Sequence, residues 1–218
     1  MAPNAGLTQE RSATPVNEIW ELQGTPCIDL DFAPAAKKEI ACTRSFGHSL
    51  TELSDLNEAI TYFASRATEK LREQGSNAHQ VMCFMLPTPF RKDPLYSRSI
   101  CMPLRRPTAD TGALVSTAVA GLKSIFRPGF NYAKSGVMLM DLQADTASQG
   151  ALDLEGDETP NHTRLMSTLD ALNQRFGKGT VLMDSAGLAG EQRAWVMKQE
   201  KRTLAYSTCW QDLAAVCA

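Results

Sequence analysis

The stretch Lys-Lys-Glu-Ile-Ala-Cys-Thr-Arg-Ser-Phe-Gly at residues 37–47 opens the pattern that decides the fold of this chain. It predicts a first β-strand from Lys37 to Phe46. From there a strand-helix-strand-strand-helix-strand pattern runs to about residue 144. A chain with this order is built around a sheet that holds a ligand on one face.

A helix follows the first strand. Asp55 is placed to cap its N-terminus, and Glu58 follows three residues later, as in a capping box. The apolar residues then recur at helical spacing, at Leu56, Ile60, Phe63, Ala67 and Leu71. Gly75 ends the run, so we predict a helix from about residue 55 to residue 74.

The remaining elements complete the order βαββαβ. We predict strands over Val81–Leu86, Ser99–Leu104 and Tyr132–Leu142, and a second helix capped by Asp110. The apolar face of that helix consists of Leu114, Ala118, Leu122 and Ile125. This order indicates an α+β, ferredoxin-like domain, in which two helices cover one face of a four-stranded antiparallel sheet. The other face is expected to stay open as a docking surface.

Composition narrows the class of protein. The chain has 218 residues, 43% of them hydrophobic and 21% charged, which is ordinary for a globular protein. Its longest apolar stretches fall far short of the roughly 18 residues that a membrane span needs, and residues 1–14 lack a secretory pattern. We therefore expect no membrane association and a cytoplasmic location.

Cysteine and histidine do not predict a metal site. None of the six cysteines forms a C-x-x-C pair, so we interpret them as reduced thiols of the core. His48, His79 and His162 have no partner at helical spacing, which favours surface or turn roles over metal ligation.

Charge divides the chain into four segments. Residues 1–32 carry a net charge of −4, residues 33–145 carry +4, residues 146–160 carry −4 and residues 161–218 carry +2. The third segment is acidic and rich in Ser, Thr, Gly and Pro. We interpret it as a linker between two mildly basic folded units, after a disordered start.

Several motifs carry a resemblance to a known family. They are KKEIACTRSFG at 37–47, FASRATEKLRE at 63–73, SGVMLMDL at 135–142 and LMSTLDALNQRFGKGTV at 165–181, followed by Trp195-Val196-Met197-Lys198, Tyr206-Ser207-Thr208 and Asp212-Leu213. In this order they resemble the C-terminal part of the UmuC-type catalytic subunit of bacterial DNA polymerase V, a Y-family translesion polymerase of SOS mutagenesis. The resemblance implies that residues 1–32 are a disordered start followed by the end of a thumb at 17–32, that 33–145 are the little finger domain and that 161–218 are a small α+β C-terminal domain.

The resemblance also implies that this chain is not an enzyme on its own. The palm of such polymerases, with the carboxylates that bind Mg²⁺, precedes the region matched here. Asp29-Leu30-Asp31 is the local candidate for a metal pair, but a lone D-x-D is weak evidence for two-metal phosphoryl transfer. We expect no catalytic residue, no metal and no cofactor in this chain.

The expected ligand is primer-template DNA. Basic residues on the strands and their ends would neutralise phosphates on the open face, and backbone N–H groups near the glycine would add contacts. The predicted DNA-binding residues are Lys37, Lys38, Arg44, Ser45, Phe46, Gly47, Arg98, Arg105, Arg106 and Lys134. The alternative is that these are solvated charges at strand ends.

A second contact is expected in the linker. The family carries a sliding-clamp peptide there, an extended segment with a glutamine and apolar anchors. Gln149, Leu152, Asp153 and Leu154 match it in part, but Ala151 and Glu155 stand where a glutamine and an aromatic residue are expected. We predict weak or lost clamp binding.

The C-terminal unit carries fewer signals. Leu165, Leu169, Leu172 and Phe176 share one helix face, Gly177-Lys178-Gly179 ends that helix, and Thr180–Met183 is predicted to be a strand. Trp195, Met197, Tyr206 and Trp210 are expected in its core. The resemblance implies contacts with a UmuD-type accessory dimer or a recombinase filament. The chain would then be either a DNA-binding region or a module that binds only protein partners.

Overall fold

Six elements in the order βαββαβ form between residues 40 and 144. They are β1 (Ile40–Leu50), α1 (Leu53–Glu73), β2 (Ser76–Pro87), β3 (Arg98–Thr108), α2 (Thr111–Ile125) and β4 (Tyr132–Ala144). A third helix, α3 (Thr163–Phe176), and two short 3-10 turns at Asp184–Ala186 and Trp210–Asp212 follow. The predicted βαββαβ order and its ferredoxin-like α+β class are confirmed.

The computed structural model describes residues 22–24, 35–88, 95–145, 162–187, 193–197, 203 and 209–212. Contacts divide the chain into Met1–Ala36 and Lys37–Ala218, and the six elements of the βαββαβ order and α3 belong to the second unit. Apart from residues 22–24, the predicted thumb remnant with its disordered start and D-x-D lies outside the described residues. So do the 146–160 linker with Gln149, Leu152, Asp153 and Leu154, and also Tyr206.

Helix α1 forms because its apolar residues keep to one side. The buried positions include Leu56, Ile60, Phe63 and Leu71, each fully enclosed. The helix begins earlier than predicted, with Glu52 rather than Asp55 at the N-cap. Asp55 instead lies in the first turn, where a carboxylate favours the positive end of the helix dipole. Gly75, at φ 67°, follows the last turn as predicted.

Helix α2 confirms its predicted cap. The side-chain oxygen Oδ1 of Asp110 accepts a hydrogen bond from the backbone N–H of Ala113 at 2.8 Å, which satisfies one of the free donors of the first turn. The predicted face of Leu114, Ala118, Leu122 and Ile125 is buried.

The sheet is antiparallel and has the strand order β1-β4-β2-β3. Strands β1 and β2 both pair with β4, so they run parallel to each other with β4 between them. In the same way β3 and β4 flank β2. Each helix therefore connects two parallel strands across a third, which is the split βαβ arrangement. Both helices contact the sheet and each other.

The core lies between this helix layer and the sheet. It combines Phe63, Leu56 and Ile60 of α1 and Leu114 and Leu122 of α2 with Val81, Met85, Val137 and Leu139 of the central strands. Tyr132 closes one end, fully buried, and its hydroxyl donates to the backbone oxygen of Arg127 at 2.9 Å.

The C-terminal residues dock on helix α1 at two places. Arg72 donates from Nε and Nη2 to the two carboxylate oxygens of Asp170 on α3, at 2.6 and 2.7 Å. Farther toward the start of α1, the indole N–H of Trp195 donates to Glu58 Oε1 at 3.0 Å. We call these the Arg72 clasp and the Glu58 clasp.

The Glu58 clasp also contains Arg193 and Gly187. Arg193 Nε lies 3.4 Å from Glu58 Oε1, and its guanidinium stacks over the rings of Tyr62 and Trp195. Gly187 has φ +69°, and a Cβ there would lie 2.8 Å from Glu58 Oε1. A side chain at residue 187 would therefore collide with the carboxylate that holds Trp195.

Some C-terminal predictions are wrong. Residues 180–183 form no strand, because the side chain of Asn173 binds the backbone N–H and oxygen of Val181 at 2.9 and 3.0 Å. Trp195 is buried as predicted, with 3% exposed, whereas Met197 is 40% and Trp210 89% exposed. The limits 33–145, 146–160 and 161–218 stay a prediction.

Candidate nucleic-acid interface

The strand register assigns every central residue of the sheet to one of two faces. Residues directly opposite each other on neighbouring strands point to the same side, and successive residues alternate. The rows Ile40–Leu139–Val81–Met102, Cys42–Val137–Cys83–Ile100 and Arg44–Ser135–Met85–Arg98 face the helices. Their central members on β4 and β2 are buried.

The other rows form what we call the open face. They are Ala41–Met138–Met82–Cys101, Thr43–Gly136–Phe84–Ser99 and Ser45–Lys134–Leu86. The side chains of Thr43, Ser45, Ser99 and Cys101 on its two outer strands are exposed, while Met82, Phe84, Leu86 and Met138 in the centre are half-buried. The open face is therefore apolar in the middle and polar at its edges.

Gly136 makes the middle of the open face flat. A Cβ on Gly136 would lie 2.7 Å from Thr43 Cβ and 2.8 Å from Phe84 Cζ. The ring of Phe84 and the side chain of Thr43 thus cover the glycine from both sides. Glycine within a strand often marks such a close approach.

Ser45 and Lys134 are the two predicted DNA-binding residues that the structure brings together. They are Cα partners on β1 and β4, and both belong to the open face. Arg105 is exposed and lies on the same side of β3 as Cys101 and Pro103. Arg106 is half-buried and lies on the other side of the strand, with Met102 and Leu104. Arg105 therefore continues the open face along β3, but at the opposite end of the sheet from Lys134.

Three other predicted residues do not lie on the open face. Arg44 and Arg98 share the row of Ser135 and Met85, which faces the helices, at the two edges of the sheet. Phe46 packs against the hydrophobic core. The prediction that these strand residues line one open face is wrong, because alternation along a strand sends neighbouring residues to opposite sides.

Gly47 belongs to the predicted phosphate contact through backbone N–H groups. Its N–H donates to the backbone oxygen of Val196 at 3.1 Å, so the C-terminal segment already occupies this one donor, and the backbone contact around Ser45 to Gly47 stays a prediction. Lys37 and Lys38 are exposed just before β1. The backbone of Lys37 binds the side-chain amide of Gln74 through both its N–H and its oxygen, each at 3.0 Å, so these lysines lie near the end of α1.

A group of cations surrounds Cys42 on the helix side of edge strand β1. Burial raises the pKa of the Cys42 thiol, although Lys70, Arg44 and Arg66 act in the opposite direction. Lys70 Nζ lies 3.5 Å from the backbone oxygen of Ala41, and Arg66 is paired with Glu69. The cysteine is thereby held as a neutral thiol beside a positively charged edge.

The sequence alone did not identify the apolar centre of the open face. Met82, Phe84 and Leu86 alternate with Val81, Cys83 and Met85, and all six side chains are apolar, so no polar residue marks the exposed side.

Among the described helices none is long and apolar enough to cross a membrane.

Comparisons with known proteins give a family-model match for each of two parts of the chain. Residues 37–152 match the impB/mucB/samB family C-terminal domain, and residues 163–216 match a domain of unknown function, DUF4113. The chain is 39% identical over 196 residues to Protein ImpB of Salmonella typhimurium, with 89% of the chain and 45% of that protein covered.

Two further proteins also match part of the chain or most of it. Protein UmuC of Salmonella typhimurium strain LT2 is 38% identical over 202 residues, with 91% of the chain and 46% of that protein covered. The chain thus spans about half the length of the curated relatives it matches. A solved structure, the insertion ternary complex of Dbh DNA polymerase, covers 49% of the chain at 9% identity with a TM-score of 0.41.

Proposed function

This chain belongs to the impB/mucB/samB family, because its residues 37–152 match the C-terminal domain of that family. From that premise we propose that it is a DNA-holding, non-catalytic region of a UmuC-type translesion polymerase. It would grip primer-template duplex during SOS mutagenesis without reading its sequence. The proposal extends the resemblance of the motifs at 37–47 and 135–142. Catalysis would belong to a palm outside this chain.

The observation that carries the proposal is the open face. The helices and the C-terminal residues described here contact the helix side of the sheet or its rim, so the opposite side is accessible over the described strands. Lys134 and Ser45 lie together at one end of it, and Arg105 lies at the other. Cations at both ends suit contacts to separate phosphates along a duplex, which add affinity but no sequence information.

The apolar centre of the open face has a role in this proposal. Met82, Phe84 and Met138 present carbon surface between the cations. Such side chains pack against deoxyribose and displace water without needing hydrogen bonds. The duplex would thus be held by charge at the ends and by apolar contact in the middle.

The test is fluorescence anisotropy of the whole chain with a labelled primer-template duplex across a salt series. We expect micromolar binding that weakens with salt. The double variant Lys134→Ala with Arg105→Ala should weaken binding of all sequences and reduce the salt slope by about 2, roughly one for each phosphate contact. Lys123→Ala is the matched control, because Lys123 is exposed on α2, in the helix layer.

One outcome would refute the DNA proposal directly. Suppose that Lys123→Ala reduced the salt slope by about 1, which is half the reduction expected of the double variant Lys134→Ala with Arg105→Ala. The binding would then be a property of net charge and not of the open face.

The apolar centre also favours a second candidate, a module that binds protein partners through the open face. The accessory dimer, the recombinase filament and the sliding clamp are the partners that the resemblance implies. Exposed apolar patches commonly mark protein contacts. Phe84→Ser should abolish a partner complex while Lys134→Ala leaves it intact, which is the reverse of the order expected for DNA.

A further inference from the structure

Helix α3 exposes an apolar seam that the DNA proposal does not use. Leu165, Leu172 and Phe176 are 58%, 38% and 61% exposed, and Leu169 between them is half-buried. The spacings of four, three and four residues are those of alternating d and a positions in a heptad. We call these four residues the α3 seam.

Hydrogen bonds of residues outside the α3 seam fix the position of helix α3. Asp170 binds Arg72 of α1 through both carboxylate oxygens. The side chain of Asn173 is bonded to the backbone of Val181 on both its oxygen and its nitrogen. His162 Nδ1 lies 2.8 Å from Asp110 Oδ2, which ties the start of the helix to the cap of α2. A surface fixed in this way loses little conformational entropy on binding.

The charges beside the seam are positive. Arg164, Arg175 and Lys178 are exposed next to it, and the Arg175 guanidinium lies 5.2 Å from the centre of the Phe176 ring. Residues 162–187 contain two acids, Asp170 and Asp184. Asp170 is bound to Arg72, so its carboxylate does not offset the cations at the surface.

The positive charge beside the α3 seam discriminates between two occupants, a second copy of the chain and an acidic helix of a partner. A second copy of the chain packed seam to seam would bring arginines against arginines, which destabilises a helix pair. A helix with apolar a and d positions and acidic flanks would complement both the seam and its rim. We propose that the α3 seam is a docking surface for an acidic amphipathic helix of a partner protein.

The test uses the whole chain and a labelled synthetic peptide of three heptads, with Leu at a and d and Glu at e and g. The same peptide with Lys at e and g is the charge-reversed probe. We expect the acidic peptide to bind with a Kd on the order of tens of micromolar, since the seam is short, and to bind less well as salt rises. The basic peptide should bind at least tenfold more weakly.

Variants locate the contact. Leu165→Ser with Phe176→Ser should weaken binding of the acidic peptide at least tenfold. The matched control is Ala171→Ser with Gln174→Ser, two exposed positions of the same helix that lie off the seam, and it should bind as the parent does. Circular dichroism checks that α3 is intact in both double variants.

Five results would overturn the proposal. Two of them are equal binding of the two peptides and binding of neither up to about 1 mM. Another is a marked fall in the unfolding temperature of the seam variant, because the chain itself would then cover the seam. The last two are a dimer of the chain that the seam variant abolishes, and displacement of the peptide by duplex DNA.

Discussion

Cys83 illustrates how a single residue is controlled by its position in the sheet. Its side chain belongs to a row that faces the helices, it is fully buried, and its thiol donates to the backbone oxygen of Ala118 at 3.3 Å. Burial raises the pKa of this thiol to about 12, with a smaller contribution from Cys101. Cys101 is on the neighbouring strand but on the open face, and it is exposed. The prediction that the cysteines are core thiols therefore fails at Cys101.

The buried thiol predicts a loss of stability at high pH. Between pH 9 and about 12 the folded state keeps the Cys83 proton, while the unfolded state loses it. The free energy of unfolding should then fall by about 1.4 kcal/mol per pH unit for this group. Burial raises the pKa of Cys42 and Tyr132 as well, which acts in the same direction.

Urea unfolding at pH 8, 9.5 and 10.5 measures the effect. Cys83→Ala should be less stable at pH 8 but should lose stability less steeply with pH than the parent. Cys209→Ala removes a half-buried thiol outside the sheet and is the control, with the parent's dependence. Parallel pH profiles for the parent and Cys83→Ala would contradict the prediction.

Gly136 is a second position where one atom matters. In Gly136→Ala the added methyl group would meet Thr43 and Phe84, and overpacking of this kind costs about 1–3 kcal/mol. The free energy of unfolding should fall by that amount, and Phe84 should move off the face. Cys101→Ala, on the same face, should change stability by less than about 0.5 kcal/mol. An unchanged urea midpoint for Gly136→Ala would show that Thr43 and Phe84 move aside at no cost.

At the scale of elements, the C-terminal segment is part of the helix layer. Trp195 packs against Tyr62 and Phe63, with ring centroids 5.0 and 5.5 Å away, and it belongs to the core of the sheet domain. The segment of unknown function thus supplies a core side chain to the neighbouring family domain. The surface of α1 around Glu58 is one of the two places on this helix where residues matched by the two family models meet.

This packing predicts that Trp195→Ala destabilises the sheet domain. Loss of a large buried aromatic side chain costs about 3–5 kcal/mol, so the free energy of unfolding should drop by that amount when followed by far-ultraviolet circular dichroism. Trp210→Ala is the matched control, because that indole is 89% exposed, and it should have little effect. An equal drop in both variants would contradict a specific contact with α1.

The sequence predicted the element types well and their ends poorly. Periodicity located both helices of the sheet domain, and Asp110 was correctly identified as a cap. Strand β2 extends to Ser76, five residues before the predicted start, because Ser76, Asn77 and Ala78 pair with β4. Such polar strand ends are stabilised by pairing with a strand that is distant in sequence. The residues around the strand end do not indicate that pairing.

The faces of the sheet were harder to predict than its strands. A shift of one residue along a strand moves a side chain to the opposite face. The sequence around the basic residues of β1 and β3 does not indicate which face they occupy. Arg44 and Ser45 are neighbours in sequence and lie on opposite sides. The clasps at Glu58 and Arg72 likewise join residues 137 and 98 positions apart.

At the scale of the whole molecule, the Arg72 clasp joins three helices. Arg72 binds Asp170 of α3, and its Nη1 also donates to Thr111 Oγ1 and to the backbone oxygen of Ala109 at the start of α2. The two partners of the ion pair are 15% and 21% exposed, so solvent screens the pair only in part. Residues 37–145 and α3 should therefore unfold in one transition.

Asp170→Asn tests this coupling. It leaves the Arg72 guanidinium without its carboxylate, and the loss of charge-assisted hydrogen bonds should cost about 1–3 kcal/mol. Glu69→Gln breaks an ion pair between residues of the same helix, at i and i+3, which is worth only a few tenths of a kcal/mol. Thermal unfolding of Asp170→Asn should show a lower midpoint or a separate early transition, whereas Glu69→Gln should resemble the parent.

The Glu58 clasp has a consequence for biosynthesis. Glu58 and Trp195 are separated by 137 residues, and at about 5–20 residues per second a ribosome needs roughly 7–27 s to cover that interval. During this time α1 and the four strands emerge first, while Tyr62 and Phe63 still lack the indole that covers them. The nascent sheet domain therefore passes through a stage with an uncovered aromatic patch, and a ribosome stalled near residue 190 would hold it in that form for chaperones to bind.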